Sequence, residues 1–240
     1  MMPPVLILAG GFGTRLKSVV PDLPKPLADI NGKPFLWWLL QQLENQGVTN
    51  VYLSVGYMHE HIEHYFGAKF NQVNLHYIVE TEPLGTGGAI LNACSQIPET
   101  QILVLNGDTL AATDLNDFVT YSTKYSSKLY LAIAKVADAG RYGTVIINNN
   151  QITGFAEKGK TGEGLINAGI YLLNKTLFED FDLPQKFSFE TDILMKHIST
   201  LNLIAYSQVT DFIDIGIPDD YALAQIKVPA MVSQSVAHNK

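Results

Sequence analysis

Apolar residues gather along this chain in short runs without alternation. Val5-Leu6-Ile7-Leu8, Val51 to Val55, Leu75 to Val79 and Ile102 to Leu105 are the clearest. Such runs suit strands of a parallel sheet covered on both faces. A different period separates the first two: Phe35, Leu36, Leu39, Leu40 and Leu43 recur at helical spacing from Pro34 to Gln46, with Gly47 as a stop. A second helical stretch spans Tyr57 to Phe66, so the chain begins β-α-β-α, and a further helix is expected from about Ala89. From Leu129 the pattern changes. LYLAIAKV, GTVIINN and QITGFAEK read as strands joined by short polar turns, with Asn148-Asn149-Asn150 as a hairpin connection. The segment 129–165 is therefore expected to be a small antiparallel insertion, and Leu165 to Leu173 a strand returning to the core. Phe187 to Ile198 reads as helical in its second half, Phe212 to Gly216 as a last strand, and Asp220 to Gln225 as a short closing helix. The fold class is α/β: a Rossmann-like, mostly parallel but mixed sheet flanked by helices. One domain over 1–226 is expected, with 227–240 a loose tail or a subunit contact in a homo-oligomer.

Composition narrows the partners. With 240 residues and 47% hydrophobic content the chain can fill one α/β core. Its net charge of −7 offers no global basic field for nucleic acid, so a polyanionic ligand must be met by a local cationic cluster. The single Cys94 excludes an intramolecular disulfide framework and a cysteine zinc site, and reads as a small buried residue. There is no secretory signal pattern and no apolar run long enough to span a bilayer, so a cytoplasmic protein with no membrane partner is expected.

Several polar groups stand where chemistry is expected. The first apolar run enters Gly10, Gly11 and Gly13, then Thr14 and Arg15, with Lys25 ten residues beyond. Glycines here let backbone N–H groups approach phosphate oxygens. Neither the dinucleotide fingerprint nor the P-loop spacing is met. A second glycine-rich loop, Glu80 to Gly88, follows the run ending at Val79, and Asn106-Gly107-Asp108 closes the run ending at Leu105. Strand ends are where α/β sheets present such carboxylates, although Asn-Gly-Asp is also turn chemistry. Asp214, between two isoleucines, requires a partner. His59, His61 and His64 read as a solvated helix face, since His59 and His61 lie about 200° apart around a helix. Trp37 and Trp38 read as packing or subunit contact.

Taken together, GGFGTRL with Lys25 in LPKP, ETEPLGTGGA, NGD, Glu157-Lys158, Asn167-Ala-Gly169 and Asp214-Ile-Gly resemble the sugar-1-phosphate nucleotidyltransferases over roughly Val5 to Gln225. The wording is most similar to the guanylyltransferases, and the sugar implied is a heptose 1-phosphate, with mannose 1-phosphate as the alternative. The resemblance implies the nucleotidyltransferase (glycosyltransferase-A-like) fold and attack of a sugar-1-phosphate oxygen on the α-phosphorus of a nucleoside triphosphate. It assigns the nucleotide to Leu8, Ala9, Gly10, Gly11, Gly13, Thr14, Gly85, Thr86 and Gly107. Arg15, Lys25 and Asp108 become catalytic, Arg15 at the β and γ phosphates and Lys25 at the α phosphate. Asp108 and Asp214 would hold magnesium, whose preference for oxygen ligands they suit. Asn106, Glu157, Lys158, Asn167 and Gly169 fall to the sugar phosphate. Ser188, Glu190 and Asp192 read equally as helix capping or ligand contact. GTP is favoured because an ionised carboxylate, Glu80 or Glu82, can accept from the adjacent N1–H and amino donors of guanine, whereas uracil and thymine present one N–H between two carbonyls. UTP or dTTP with a hexose 1-phosphate remains an alternative, as does a nucleotide-sugar sensor without turnover.

Overall fold

The computed structural model describes residues 2–11, 23–159 and 161–237. Gly13, Thr14 and Arg15 of the first glycine loop lie outside the described residues. In chain order the strands are β1 (Val5–Leu8), β2 (Asp29–Ile30), β3 (Lys33–Pro34), β4 (Asn50–Val55), β5 (Lys69–Phe70), β6 (Val73–Val79), β7 (Gln101–Asn106) and β8 (Thr109–Ala112). They continue with β9 (Leu129–Val136), β10 (Val145–Asn148), β11 (Gln151–Phe155), β12 (Gly164–Asn174), β13 (Leu203–Val209) and β14 (Asp211–Asp214). The α-helices are α1 (Phe35–Asn45), α2 (His59–Phe66), α3 (Gly85–Gln96), α4 (Leu115–Ser122) and α5 (Pro218–Ala237).

Among the described residues, ten strands join in one sheet of order β10-β11-β13-β9-β12-β7-β1-β4-β6-β5. Its first half is parallel as the apolar runs predict: β1 pairs in parallel with both β4 and β7, and β4 with β6. Alternate residues of these runs serve opposite cores. Val5, Ile7, Leu103 and Leu105 pack under α1 and α5, whereas Leu6, Ile102 and Val104 pack with Ile90, Ala93 and Cys94 of α3. Two-faced burial is the reason the runs show no polar alternation.

The antiparallel segment expected over 129–165 is a continuation of this sheet. β12 runs antiparallel to β7 and β9, and β13 runs parallel to β9. The hairpin between β10 and β11 turns at Asn149 and Asn150, both with positive φ (48° and 66°), as a tight two-residue turn demands.

Several elements differ from the sequence pattern. Helix α3 starts at Gly85 rather than near Ala89, because Gly87 and Gly88 N–H, free at a helix start, donate to the Phe187 carbonyl at 3.0 and 3.4 Å. The closing helix runs from Pro218 to Ala237, well beyond 220–225. Ala224, Val228, Met231 and Val232 form its buried stripe, and Pro229 sits inside the helix. The pattern also predicts neither β8 nor the two-turn α4, which Asp114 caps by accepting from Asn116 and Asp117 N–H.

Candidate active site

Register places the site. Leu8 lies level with Ser54 on one side and Asn106 on the other, so β1, β4 and β7 end together, and their carboxyl edge is where open α/β sheets bind ligands. Gly107 closes the turn after β7 by donating its N–H to the Leu8 carbonyl at 3.0 Å. A Cβ there would stand 2.4 Å from that oxygen, so only glycine fits.

Two cavities adjoin along this edge. The first, of about 330 Å³, is lined by Leu8, Ala9, Gly10, Gly11, Lys25, Glu80, Gly85, Thr86, Asn106, Gly107 and Asp108, with Pro26, Pro83 and Ala89. Every described residue assigned above to the nucleotide is in this lining. Glu82 is not, which favours Glu80 as the acceptor. The Glu80 carboxylate is held from two sides: Ser54 Oγ–H donates to Oε1 at 2.7 Å and Leu84 N–H to Oε2 at 3.2 Å. Ser54 is fully buried, an isolated hydroxyl in the apolar run of β4, and was the overlooked signal for this contact.

The second cavity, of about 300 Å³, shares Leu8, Thr86, Asn106 and Asp108 with the first. Lys158 and Asn167 line it as the resemblance implies, together with Thr109, Tyr142, Tyr171, Ser188, Phe189, Glu190 and Asp214. Glu157 is exposed and outside both linings. Gly169 contributes by leaving room: its φ is +72°, and a Cβ would lie 2.7 Å from Asn106 Nδ2 and 2.8 Å from Thr109 Oγ1. Tyr142 is held by Arg141, whose guanidinium lies 4.8 Å over its ring, donates to its hydroxyl and pairs with Asp220 in the first turn of α5. Ser188 and Asp192 cap reciprocally, the Ser188 hydroxyl accepting Thr191 N–H and the Asp192 carboxylate accepting Ser188 N–H at 2.7 Å.

The two aspartates meet because β8 and β14 pair, with Asp214 opposite Thr109, and because Ile215 N–H donates to the Asp108 carbonyl at 3.0 Å. Lys25 Nζ stands between them, 2.8 Å from Asp108 Oδ2 and 3.9 Å from Asp214 Oδ1. This supplies the partner that Asp214 requires, alongside the Gly216 N–H at 2.6 Å. Burial and the neighbouring Asp108 nonetheless hold the Asp214 carboxyl above its ordinary range, against the lowering effect of Lys25.

This arrangement has counterparts. The nucleotidyl transferase family model matches residues 4–230. The chain belongs to that family. D-glycero-alpha-D-manno-heptose 1-phosphate guanylyltransferase of Aneurinibacillus thermoaerophilus is 45% identical over 92% of this chain and 96% of its own length. The protein of the same description from Campylobacter jejuni subsp. jejuni is 44% identical over 90% and 96%. The crystal structure of HddC from Yersinia pseudotuberculosis matches with a TM-score of 0.83 at 42% identity, covering 94% of this chain and 99% of that one, and HddC has also been solved complexed with GMP-PN. As a nucleotidyl transferase, the chain presents two adjoining cavities of similar volume, with Asn106 and Asp108 common to both.

The expected roles of the remaining residues divide by environment. Trp37 and Trp38 pack within the chain, edge-on to each other at 4.9 Å, with Trp38 Nε1–H donating to the Ile30 carbonyl. Cys94 is buried, and desolvation pushes its thiol up to about 12. No helix among the described residues is long and apolar enough to cross a membrane.

Proposed function

We propose that this chain transfers the guanylyl group of GTP to a sugar 1-phosphate, D-glycero-α-D-manno-heptose 1-phosphate before mannose 1-phosphate, with release of pyrophosphate. The observation that carries the reading is the shared wall: Asp108 and Asn106 line both cavities, so a nucleotide in the first and a sugar phosphate in the second meet there. The new bond joins a sugar-phosphate oxygen to the α-phosphorus, and the bond to the departing pyrophosphate oxygen breaks. Such chemistry asks the protein for positioning and charge neutralisation.

Lys25, held 2.8 Å from Asp108, brings a cation to the junction where charge gathers on the α phosphate. Lys158 brings another to the second cavity, for the sugar phosphate. Glu80 accepts the paired donors of guanine. Its two inward hydrogen bonds use one lone pair on each oxygen and leave others for the base. Gly10 makes room for this contact, since its Cβ position lies 3.0 Å from Glu80 Oε1. Asp108 and Asp214, two carboxylates beside a phosphate path, fit magnesium, which would offset triphosphate charge. Arg15 is the residue proposed for the β and γ phosphates.

The test is incubation of the protein with GTP, magnesium and a panel of sugar 1-phosphates, with UTP and dTTP in parallel. Pyrophosphate and a GDP-sugar are expected, fastest with the heptose. Absence of product with every nucleotide would refute the proposal, and tight nucleotide binding without turnover would replace it with a sensor.

A further inference from the structure

The second cavity contains a hydroxyl and a carboxylate to which the roles above give no task. Tyr171 is only 4% exposed yet lines the cavity, its ring fixed edge-on against Phe189 at 5.3 Å. Its oxygen accepts Asn167 Nδ2–H at 2.7 Å. Asn167 Oδ1 in turn accepts the Gly169 N–H at 2.9 Å, which fixes the amide with its donor toward the phenol. Among the described residues no protein group takes the proton of the phenol itself. Burial raises the Tyr171 pKa further above neutrality, so that proton is retained.

Glu190 follows Phe189 directly and lines the same cavity. Capping of this helical segment is already performed by Ser188 and Asp192. The Glu190 Oε1 atom lies 3.5 Å from Asn167 Nδ2, at the outer limit of a hydrogen bond, and no described cation pairs with it. A donor and an acceptor thus stand side by side, and a sugar hydroxyl is a group that both accepts and donates.

We propose that Tyr171 and Glu190 together read a hydroxyl, or a neighbouring pair, on the sugar ring: Tyr171 donates, Glu190 accepts, and Asn167 positions the phenol without needing to touch the sugar. The inference rests on the guanylyltransferase reading and adds which side chains select the sugar.

The experiment compares wild type, Glu190→Gln, Glu190→Asp and Tyr171→Phe at saturating GTP, using the parent sugar 1-phosphate and analogues lacking one hydroxyl each. Calorimetric titration of the sugar 1-phosphates accompanies the kinetics, and circular dichroism confirms that each variant is folded. Glu190→Gln and Tyr171→Phe should raise the sugar KM roughly 10- to 100-fold with the GTP KM within about twofold, as expected for one charge-assisted or buried hydrogen bond. Both should lose discrimination against the same deoxy analogue, and Glu190→Asp should regain part of it. Folded variants with an unchanged sugar KM, or with wild-type discrimination against every analogue, overturn the inference while leaving the guanylyltransferase reading intact. A wild-type protein that neither binds nor converts any sugar 1-phosphate overturns both.

Discussion

The two cavities are built in different ways. The first is lined by short stretches at the carboxyl ends of β1, β6 and β7 and by the start of α3, so its residues stand wherever an apolar run meets glycine or a carboxylate. The second draws on β8, β12, β14, the segment around Tyr142 and the turn at Ser188. Its lining runs from Leu8 to Asp214, whereas that of the first ends at Asp108. On the proposed reading, the nucleotide site can therefore be recognised from short glycine and carboxylate stretches at strand ends, whereas the sugar site depends on strand pairing across the chain.

The sharpest way to test that division is at the wall common to both. Asp108→Asn should lower kcat by ~10³-fold or more with either substrate saturating, because the residue touches both cavities and its carboxylate faces Lys25. Steady-state kinetics with circular dichroism as a fold control checks this, and near-normal turnover would contradict the junction. Next is Gly169→Ala, where the second region leans on the first. A methyl group at φ +72° would crowd Asn106 and Thr109, and a stability loss of ~1–3 kcal/mol is expected by urea denaturation, with kcat reduced as well. Full stability and activity would show that Asn106 is free to move.

Glu80→Gln confines the disturbance to the nucleotide side. It should narrow the preference for GTP over UTP by roughly 10- to 100-fold while the sugar KM holds. Altered sugar KM with intact nucleotide preference would move the base contact elsewhere.

The smallest effect concerns Asp214, and its sign is informative. A carboxyl held above its ordinary range binds its proton more tightly in the folded than in the unfolded state. Its contribution thus favours the fold at acid pH and is lost as pH rises through the raised value. Asp214→Asn should then stabilise the magnesium-free, nucleotide-free protein near neutrality by ~1 kcal/mol and keep the Gly216 contact. Thermal melts from acid to neutral pH should show the gain growing as pH climbs through the raised value and then levelling off; a variant less stable than wild type at neutrality would mean that the attraction to Lys25 outweighs burial.

These contrasts bear on what the sequence makes legible. The strands of the parallel half, the helix over Phe35–Asn45 and the nucleotide cluster follow from apolar runs and punctuation, since buried strands and glycine turns are local events. Tyr171 and Tyr142 follow from no such rule: aromatic residues in or beside strands ordinarily signal packing, and only the cavity reveals their polar ends. The meeting of Asp108 and Asp214 depends on β8, four residues without a usable period. Glu157 and Lys158 of one motif are both exposed, and of the two only Lys158 lines the second cavity. The length of α5 was missed because the pattern after Gln225 is weak, although the stripe of Ala224, Val228, Met231 and Val232 was present in the letters.

One contact also sets an order of events during synthesis. The amino end of α3 cannot seat as it does in the finished molecule without the segment around Phe187: a Cβ at Gly87 would meet the Phe187 ring at 2.2 Å, and the Phe187 carbonyl receives the Gly87 and Gly88 N–H groups. About a hundred residues separate these partners, which at the pace of a ribosome is several seconds. The parallel half can assemble as it emerges, but the start of α3, which lines the first cavity, is fixed only when Phe187 arrives. A chain truncated before that point would carry every lining residue of the first cavity and still lack the carbonyl that receives the Gly87 and Gly88 N–H groups.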